Sequence, residues 1–447
     1  MKGQKAFFPT VCALAIPVAL QSMLQSSFGM VDQIMIGQLG EVSVAGVGLA
    51  GKFTSIYSVI VSAVAAVAGI MISQYLGQEK SAEVRRSFFT NLALAAVIAG
   101  LFTAVCAFFP ETVMRAYTKD AATRQAAAEY LRCVSGTFLP LAGAALLSTA
   151  FRCAEKPQLP LYASIFSALL NTGLNYVLIF GKLGFPALGV TGAAIATVVS
   201  QCANVLGMLL MASKCRPVPK TGDGGAARWS WRAYLAMLLP LLLCEGSWSL
   251  GENVYAAIYG HMGTGASAAM TLINPVQGLV IGALCGLSQA AGVIVGKQLG
   301  RGEREEAYRS GKRLLIYGAV GALLLSAAVV LLRAPYVDIY RVDGTVKAMT
   351  RQILLAYAII APCKVLNMIL GGGILRSGGR TTYIMAIDMA GTWCLGVPLG
   401  LLSAFVWKMP VSYVYFLLSL EEGFRLAVSL AVFRRRSWMD RLGGSMK

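Results

Sequence analysis

Residues 26–40 read SSFGMVDQIMIGQLG. A single aspartate, Asp32, stands in an apolar run that reaches back to Val11 and is long enough to cross a bilayer. The run ends at Gly37 and Gly40. The same two glycines recur as Gly260 and Gly263 in AAIYGHMGTGASAAMT, and the same displacement of 223 residues relates Gly77 to Gly300 and Arg86 to Arg309. One offset held through four positions marks a duplicated chain. A weaker echo, FRCAEKP at 151–157 against LRSGGRT at 375–381, lies at 224.

The composition says what is duplicated. The 447 residues are 57% hydrophobic and 13% charged, with mean hydropathy +0.67. Soluble domains carry about 25% charged residues. Twelve segments have the roughly 20 apolar residues that a spanning helix needs: 9–36, 44–73, 87–110, 125–151, 158–181, 187–212, 233–259, 266–296, 313–332, 352–375, 381–407 and 411–433. They do not alternate with a two-residue period, which excludes a β-barrel. The fold class is therefore an all-α integral membrane protein of twelve spans in two six-helix lobes. Six is even, so both repeats enter the membrane in the same direction. Parallel repeats related by an axis along the membrane normal are a transporter architecture.

The net charge is +18. On a soluble chain this would suggest nucleic acid, but the positions of the charges decide otherwise. With the N-terminus inside and twelve spans threaded, 26 of the 38 Lys and Arg fall in inner segments, nine in outer ones, and Lys52, Arg132 and Lys364 within spans. Positive charge collects on the cytoplasmic side. The reading is a multi-pass protein of the cell (inner) membrane with both termini cytoplasmic, touching anionic lipid and no nucleic acid. Residues 1–213 form the N-lobe, 214–229 a basic, Gly- and Pro-rich cytoplasmic linker, and 230–447 the C-lobe. VCALAIPVAL at 11–20 belongs to an uncleaved first helix, because the apolar run continues to Ile36. The ten cysteines are scattered singly, without a C-x-x-C or Cys/His cluster. They read as small packing residues, with no disulfide and no structural metal.

Three stretches together resemble the multidrug and toxic compound extrusion (MATE) family: IPVALQSMLQSSFGMVDQIMIGQLG in span one, LLNTGLNYVLIFGKLGFPALGVTGAAIATVVSQ across spans five and six, and ILRSGGRTTYIMAIDMAGTWCLGVPLG across spans ten and eleven. The similarity runs over nearly the whole chain. It implies two six-helix bundles forming a V-shaped cleft. It also implies export of bulky cationic or amphipathic compounds in exchange for protons or sodium, by a monomer with no cofactor beyond the coupling ion.

Individual residues carry this reading. A mid-span carboxylate costs roughly 2.5–3.5 kcal/mol on insertion scales, so Asp32 needs a solvated cavity, a partner or a proton. Asn171 and Asn175, four apart, share one face of span five. Their amides suit a sodium ion or a hydrogen-bonded carboxylate. The family resemblance ties the acid of helix one to cation coupling and groups it with polar residues of helix five and a threonine of helix six. The threonines here are Thr191 or Thr197. Where the family has a second aspartate on helix five, this chain has Asn175, which weakens a tight sodium site. Pro17 removes one helical hydrogen bond and permits a kink, and the resemblance makes it a candidate hinge.

In the C-lobe, Glu245 matches the place of a functional acid in the family. Glu252 is seven residues on, facing roughly the same way. Asp388 in span eleven is a further candidate for coupling or substrate binding, or a plain hydrogen-bonding group. Lys364 is placed to neutralise Glu252, Glu245 or Asp388. Glu421 and Arg425, spaced i, i+4 beside Glu422, form an internal ion pair. Gly371, Gly372 and Gly373 allow close packing or bending of span ten. His261 lies at an external turn. Tyr57, Trp248, Tyr255 and Met270 are candidates to line a cleft and stack on planar cations.

A charge crossing about 100 mV yields about 2.3 kcal/mol, near fortyfold accumulation. No G-x-x-x-x-G-K-[ST] loop is present, so transport rests on an ion gradient rather than ATP. Two alternatives fit less well. A lipid-linked oligosaccharide flippase of the same superfamily calls for more helices or a strongly basic cavity. An intramembrane enzyme calls for a His/Asp pair or an activated nucleophile at membrane depth.

Overall fold

The computed structural model describes residues 4–219, 230–340 and 342–440, so linker residues 220–229 lie outside it. Eleven of its helices are long and apolar enough to cross a membrane. In chain order the helices begin with α1 (Gln4–Gly37), α2 (Glu41–Gly77), α3 (Ser81–Phe108), the short α4 (Pro110–Arg115), α5 (Ala121–Val134) and α6 (Phe138–Cys153). There follow α7 (Gln158–Phe180), α8 (Gly189–Cys215), α9 (Trp231–His261), α10 (Thr264–Arg301), α11 (Arg304–Asp338) and α12 (Gly344–Ile369). The chain then runs through α13 (Thr381–Met389), α14 (Val397–Leu401), α15 (Val411–Leu418) and α16 (Leu420–Arg435). A 3₁₀ turn, Ser135–Thr137, joins α5 to α6, which together form one span. The last expected span, 411–433, is split at Ser419 into α15 and α16, because Glu421, Glu422 and Arg425 open the second piece.

The repeat is visible in where helices start. Glu41 and Thr264, Ser81 and Arg304, Ala121 and Gly344, and Gln158 and Thr381 are pairs of first residues, each 223 apart. The turns entering α2 and α10 use Gly40 at φ 95° and Gly263 at φ 118°, a left-handed conformation that a Cβ disfavours. Polar first turns that hydropathy excluded turn out helical, as in residues 304–312 of α11. Asp120 caps α5 by accepting from the Thr123 N–H at 2.8 Å, and its hydrogen bonds with Thr123 hold the carboxyl below the ordinary range.

The described chain clusters into two compact units: residues 20–72 with 80–227, and residues 1–19 with 73–79 and 228–447. The chain passes from one to the other inside α1, two residues after Pro17. The first unit packs Ile36, Ile179 and Ala193 together, with Tyr130 and Phe180 against them. The second has a long core including Val11, Tyr255, Ile273, Tyr357, Ile369 and Trp438. Lipid supplies little hydrophobic force between helices, so close contact of small residues must hold them. In the second unit, Gly77 meets the Lys297 carbonyl and Gly300 meets that of Gln74, with no room for a Cβ at either. The two contacts exchange repeat partners, since 74 and 297 are also 223 apart. Gln74 donates to the carbonyls of Ser377 at 2.7 Å and Asp440 at 3.2 Å, and the buried Trp438 anchors the segment after α16.

Span ten does change geometry at its glycines. Residues Leu370–Leu375 form a π-helical turn, as do Ala390–Gly396 and Leu402–Val406 further on. Gly373 lies against the Ser288 carbonyl, and the Ser288 hydroxyl donates to the Met368 carbonyl at 2.7 Å. The widened turn and the bare glycine bring α10 and α12 into contact.

Candidate functional sites

In the first unit, α1 and α7 bring Asp32, Asn171 and Asn175 together. Asn175 is fully buried; its Nδ2 donates to Asp32 Oδ1 and, at 3.2 Å, to Asn171 Oδ1. Its own Oδ1 is buried without a hydrogen-bond partner. The i, i+4 spacing on α7 makes this chain of contacts possible. Tyr130 of α5 lies within electrostatic range of Asp32, and nothing in its sequence context separates it from other buried aromatics. The helix-six threonines do not join the set. Thr197 donates to the Ala193 carbonyl of its own helix at 2.9 Å, and the Thr191 side chain makes no hydrogen bond among the described residues.

Tyr57 is a correction. It is 0% exposed, donates to the Phe138 carbonyl at 2.6 Å and packs its ring on Phe102 and Phe138, so it belongs to the core and lines no cleft.

The second unit holds a dense polar belt centred on Arg425 of α16. Its guanidinium lies 3.4 Å from Glu421, 4.0 Å from Glu422 and 3.9 Å from Asp388, and donates to Thr392. Tyr255 donates to Glu421 at 2.8 Å, and Asn367 to Glu422 at 2.8 Å. Gly391 and Gly396, in the π-helical turn after α13, leave the space that Arg425 and the Tyr255–Glu421 pair fill. The ion pair read from the i, i+4 spacing is therefore one edge of a larger network. Cys244 donates to Asp388 at 2.9 Å.

The two glutamates of α9 separate. Glu245, the preferred C-lobe candidate, pairs with Arg376 at 3.2 Å. Glu252 lines a cavity of about 350 Å³ together with Lys364, Tyr255, Tyr259, Met270 and Tyr415. Tyr255 and Met270, two of the aromatic and Met candidates, line this cavity; Trp248 does not line it and is 47% exposed. Lys364 lines the same cavity as Glu252, Glu421 and Glu422, whereas Glu245 and Asp388 are not among its lining residues. Sequence reasoning passed over Gln277, which donates to the Tyr415 hydroxyl at 2.9 Å. Asn274 and Gln277 flanking Pro275 inside an apolar span were the available signal. His261 caps its helix from an exposed position, its Nδ1 2.8 Å from the Ala257 carbonyl.

Pro17 is buried inside an unbroken α1. Among the described residues no group of three or more His, Cys, Asp or Glu has metal-holding geometry.

Comparison with known proteins places this geometry in context. The family model MatE matches the chain twice, over residues 17–177 and 240–402, and the two matches begin 223 residues apart. Among curated proteins, the uncharacterized transporter YisQ of Bacillus subtilis is 21% identical, over 96% of this chain and 94% of its own. A probable multidrug resistance protein NorM of Thermotoga maritima is 23% identical, over 96% and 92%. Among solved structures, the Vibrio cholerae MATE transporter VcmN superposes with TM-score 0.89 at 15% identity, over 98% of this chain and 100% of that one. A MATE structure in a bent conformation gives 0.86 at 17%, over 96% and 95%.

Proposed function

Because this chain belongs to the MatE family, and so is a multi-pass efflux transporter rather than an enzyme, we propose that it exports bulky cationic or amphipathic compounds in exchange for protons, with Asp32 as the coupling group. The observation that carries this is the Asp32, Asn175 and Asn171 chain at membrane depth. One carboxylate sits there with amides and no cationic side chain in hydrogen-bond or ion-pair contact among the described residues. Such a group changes charge when it gains or loses a proton, and an antiporter needs that change to be reversible.

Sodium is the second reading, supported by the orphaned Asn175 Oδ1. A hard cation takes several oxygen ligands, yet Asn175 turns its N–H toward Asp32. The proton reading needs no rearrangement. Alternating access then moves the Asp32 site between the two sides, with α1 bending at Pro17 near the point where the chain changes unit. The lobes are residues 1–213 and 230–447, both termini face the cytoplasm, anionic lipid meets the basic inner loops, and the protein works as a monomer in the cell inner membrane.

The test is purified protein in liposomes loaded with a fluorescent cationic dye, under a pH gradient and a sodium gradient applied separately. Dye movement under the pH gradient alone is the expected result. Movement under sodium alone replaces the proton with sodium at the same site. Movement under neither gradient contradicts the proposal.

A further inference from the structure

The cavity of the second unit carries two opposite charges that the surrounding network leaves unspent. Glu252 makes no hydrogen bond and no ion pair among the described residues, although it lines the cavity. Lys364 lines it too, within electrostatic range of Glu422, Glu252 and Glu421, but no carboxylate oxygen comes within 4.0 Å of its Nζ among the described residues. The neighbouring acids are differently placed. Glu421 and Glu422 are held by Arg425, Tyr255 and Asn367. They form a fixed wall, and the free valences are one carboxylate and one ammonium.

The rest of the lining suits a small organic molecule. Tyr255, Tyr259 and Tyr415 supply aromatic surface, on which an organic ammonium group is attracted to ring faces. The Gln277 to Tyr415 hydrogen bond fixes one of those rings. Behind the lining, Tyr357 is 1% exposed, within electrostatic range of Lys364, and its hydroxyl has no hydrogen-bond partner among the described residues. About 350 Å³ is near the lower end of ligand pockets, roughly 300–1,000 Å³, and matches a small organic molecule. A lone cation would satisfy Glu252 but meet Lys364 with like charge. A lone anion would satisfy Lys364 but meet three carboxylates.

We propose that this cavity is a binding site for a small zwitterion of amino-acid type, its ammonium group at Glu252 and the tyrosine rings and its carboxylate at Lys364. The site is separate from Asp32 and does not depend on which ion drives transport.

The test is equilibrium calorimetry on the detergent-purified full chain, without any gradient. Three probes share one skeleton: N,N,N-trimethylphenylalanine as the zwitterion, its methyl ester as the cation, and 3-phenylpropionate as the anion. In the wild type the zwitterion should bind about tenfold or more tighter than the ester, the scale of one charge-assisted hydrogen bond from Lys364 to its carboxylate, and about tenfold tighter than the anion, the scale of a quaternary ammonium held by charge against Glu252 and by the tyrosine rings. Lys364→Met should abolish the preference over the ester, and Lys364→Arg should restore it. Glu252→Gln should abolish the preference over the anion. Each preference is a ratio measured on one variant, so a general loss of folded protein does not imitate it. A zwitterion that binds no tighter than the ester, preferences untouched by both neutralising substitutions, or no binding of any probe would each overturn the proposal. A failure of Asp32 to couple transport would leave these ratios unchanged.

Discussion

The two repeats treat charge at membrane depth in opposite ways. The repeat partner of Asp32, 223 residues on, is Tyr255. In the first unit the acid sits on the first helix of the repeat and accepts from an amide of α7. In the second the first helix offers a hydroxyl at the equivalent place, and the acid it serves, Glu421, comes from α16. Among the described residues the hydrogen-bond chain from Asp32 runs through amides alone, with Tyr130 within electrostatic range. Around Glu421 there are Arg425, Glu422 and Asp388, all tied to one guanidinium. A duplicated scaffold has kept a polar contact at the same level and changed which partner is charged. On the proposed reading the lone acid is the one that exchanges a proton, while the crowded ones share the Arg425 guanidinium.

The largest effect that distinguishes the two regions should come from Arg425→Met. It leaves Glu421, Glu422 and Asp388 without their shared cation, and breaking a buried pair costs roughly 3–5 kcal/mol. Thermal unfolding in detergent should show a large drop, partly recovered in the double variant with Glu421→Gln. If Arg425→Met unfolds like the wild type, the belt is not structural and the contrast collapses.

A smaller contrast lies between two buried tyrosines. Tyr255→Phe strips a hydrogen bond from a carboxylate, worth about 1.5–3 kcal/mol. Tyr57→Phe strips one from the Phe138 carbonyl, worth about 1 kcal/mol. Denaturation of the two single variants should rank them in that order, and dye export by Tyr57→Phe should match the wild type. Smallest is Glu245→Gln. The Glu245–Arg376 pair is only partly buried, so its loss should cost no more than about 1 kcal/mol, and gradient-driven export should persist. Loss of coupling in this variant would shift the proton site to α9.

Much of this organisation was legible because the repeat is encoded locally. Turn glycines and helix starts recur at one offset, and Asn171 with Asn175 follow from helical spacing alone. The cross-helix choices were not legible. Glu245 and Glu252 lie on one face of one helix, and only contacts with distant residues show that one pairs with Arg376 and the other shares a cavity with Lys364. The Glu421–Arg425 spacing showed a pair, but Asp388, Thr392 and Asn367 reach it from other helices with no periodic signal. Tyr57 looked like a lining aromatic because composition cannot tell a ring packed on Phe102 from one facing a ligand. Helix ends were read short wherever polar residues continue a helix beyond its apolar stretch, as at Arg304–Lys312.

The central claim is that Asp32 carries the exchanged proton. Its most direct test is proton release when a cationic substrate binds to the purified protein in weakly buffered detergent, followed with a pH-indicating dye. The account predicts that the wild type releases a proton on binding, and that Asp32→Asn binds the same substrate and releases none. Undiminished release from Asp32→Asn would contradict it and return the search to the acids of the second unit.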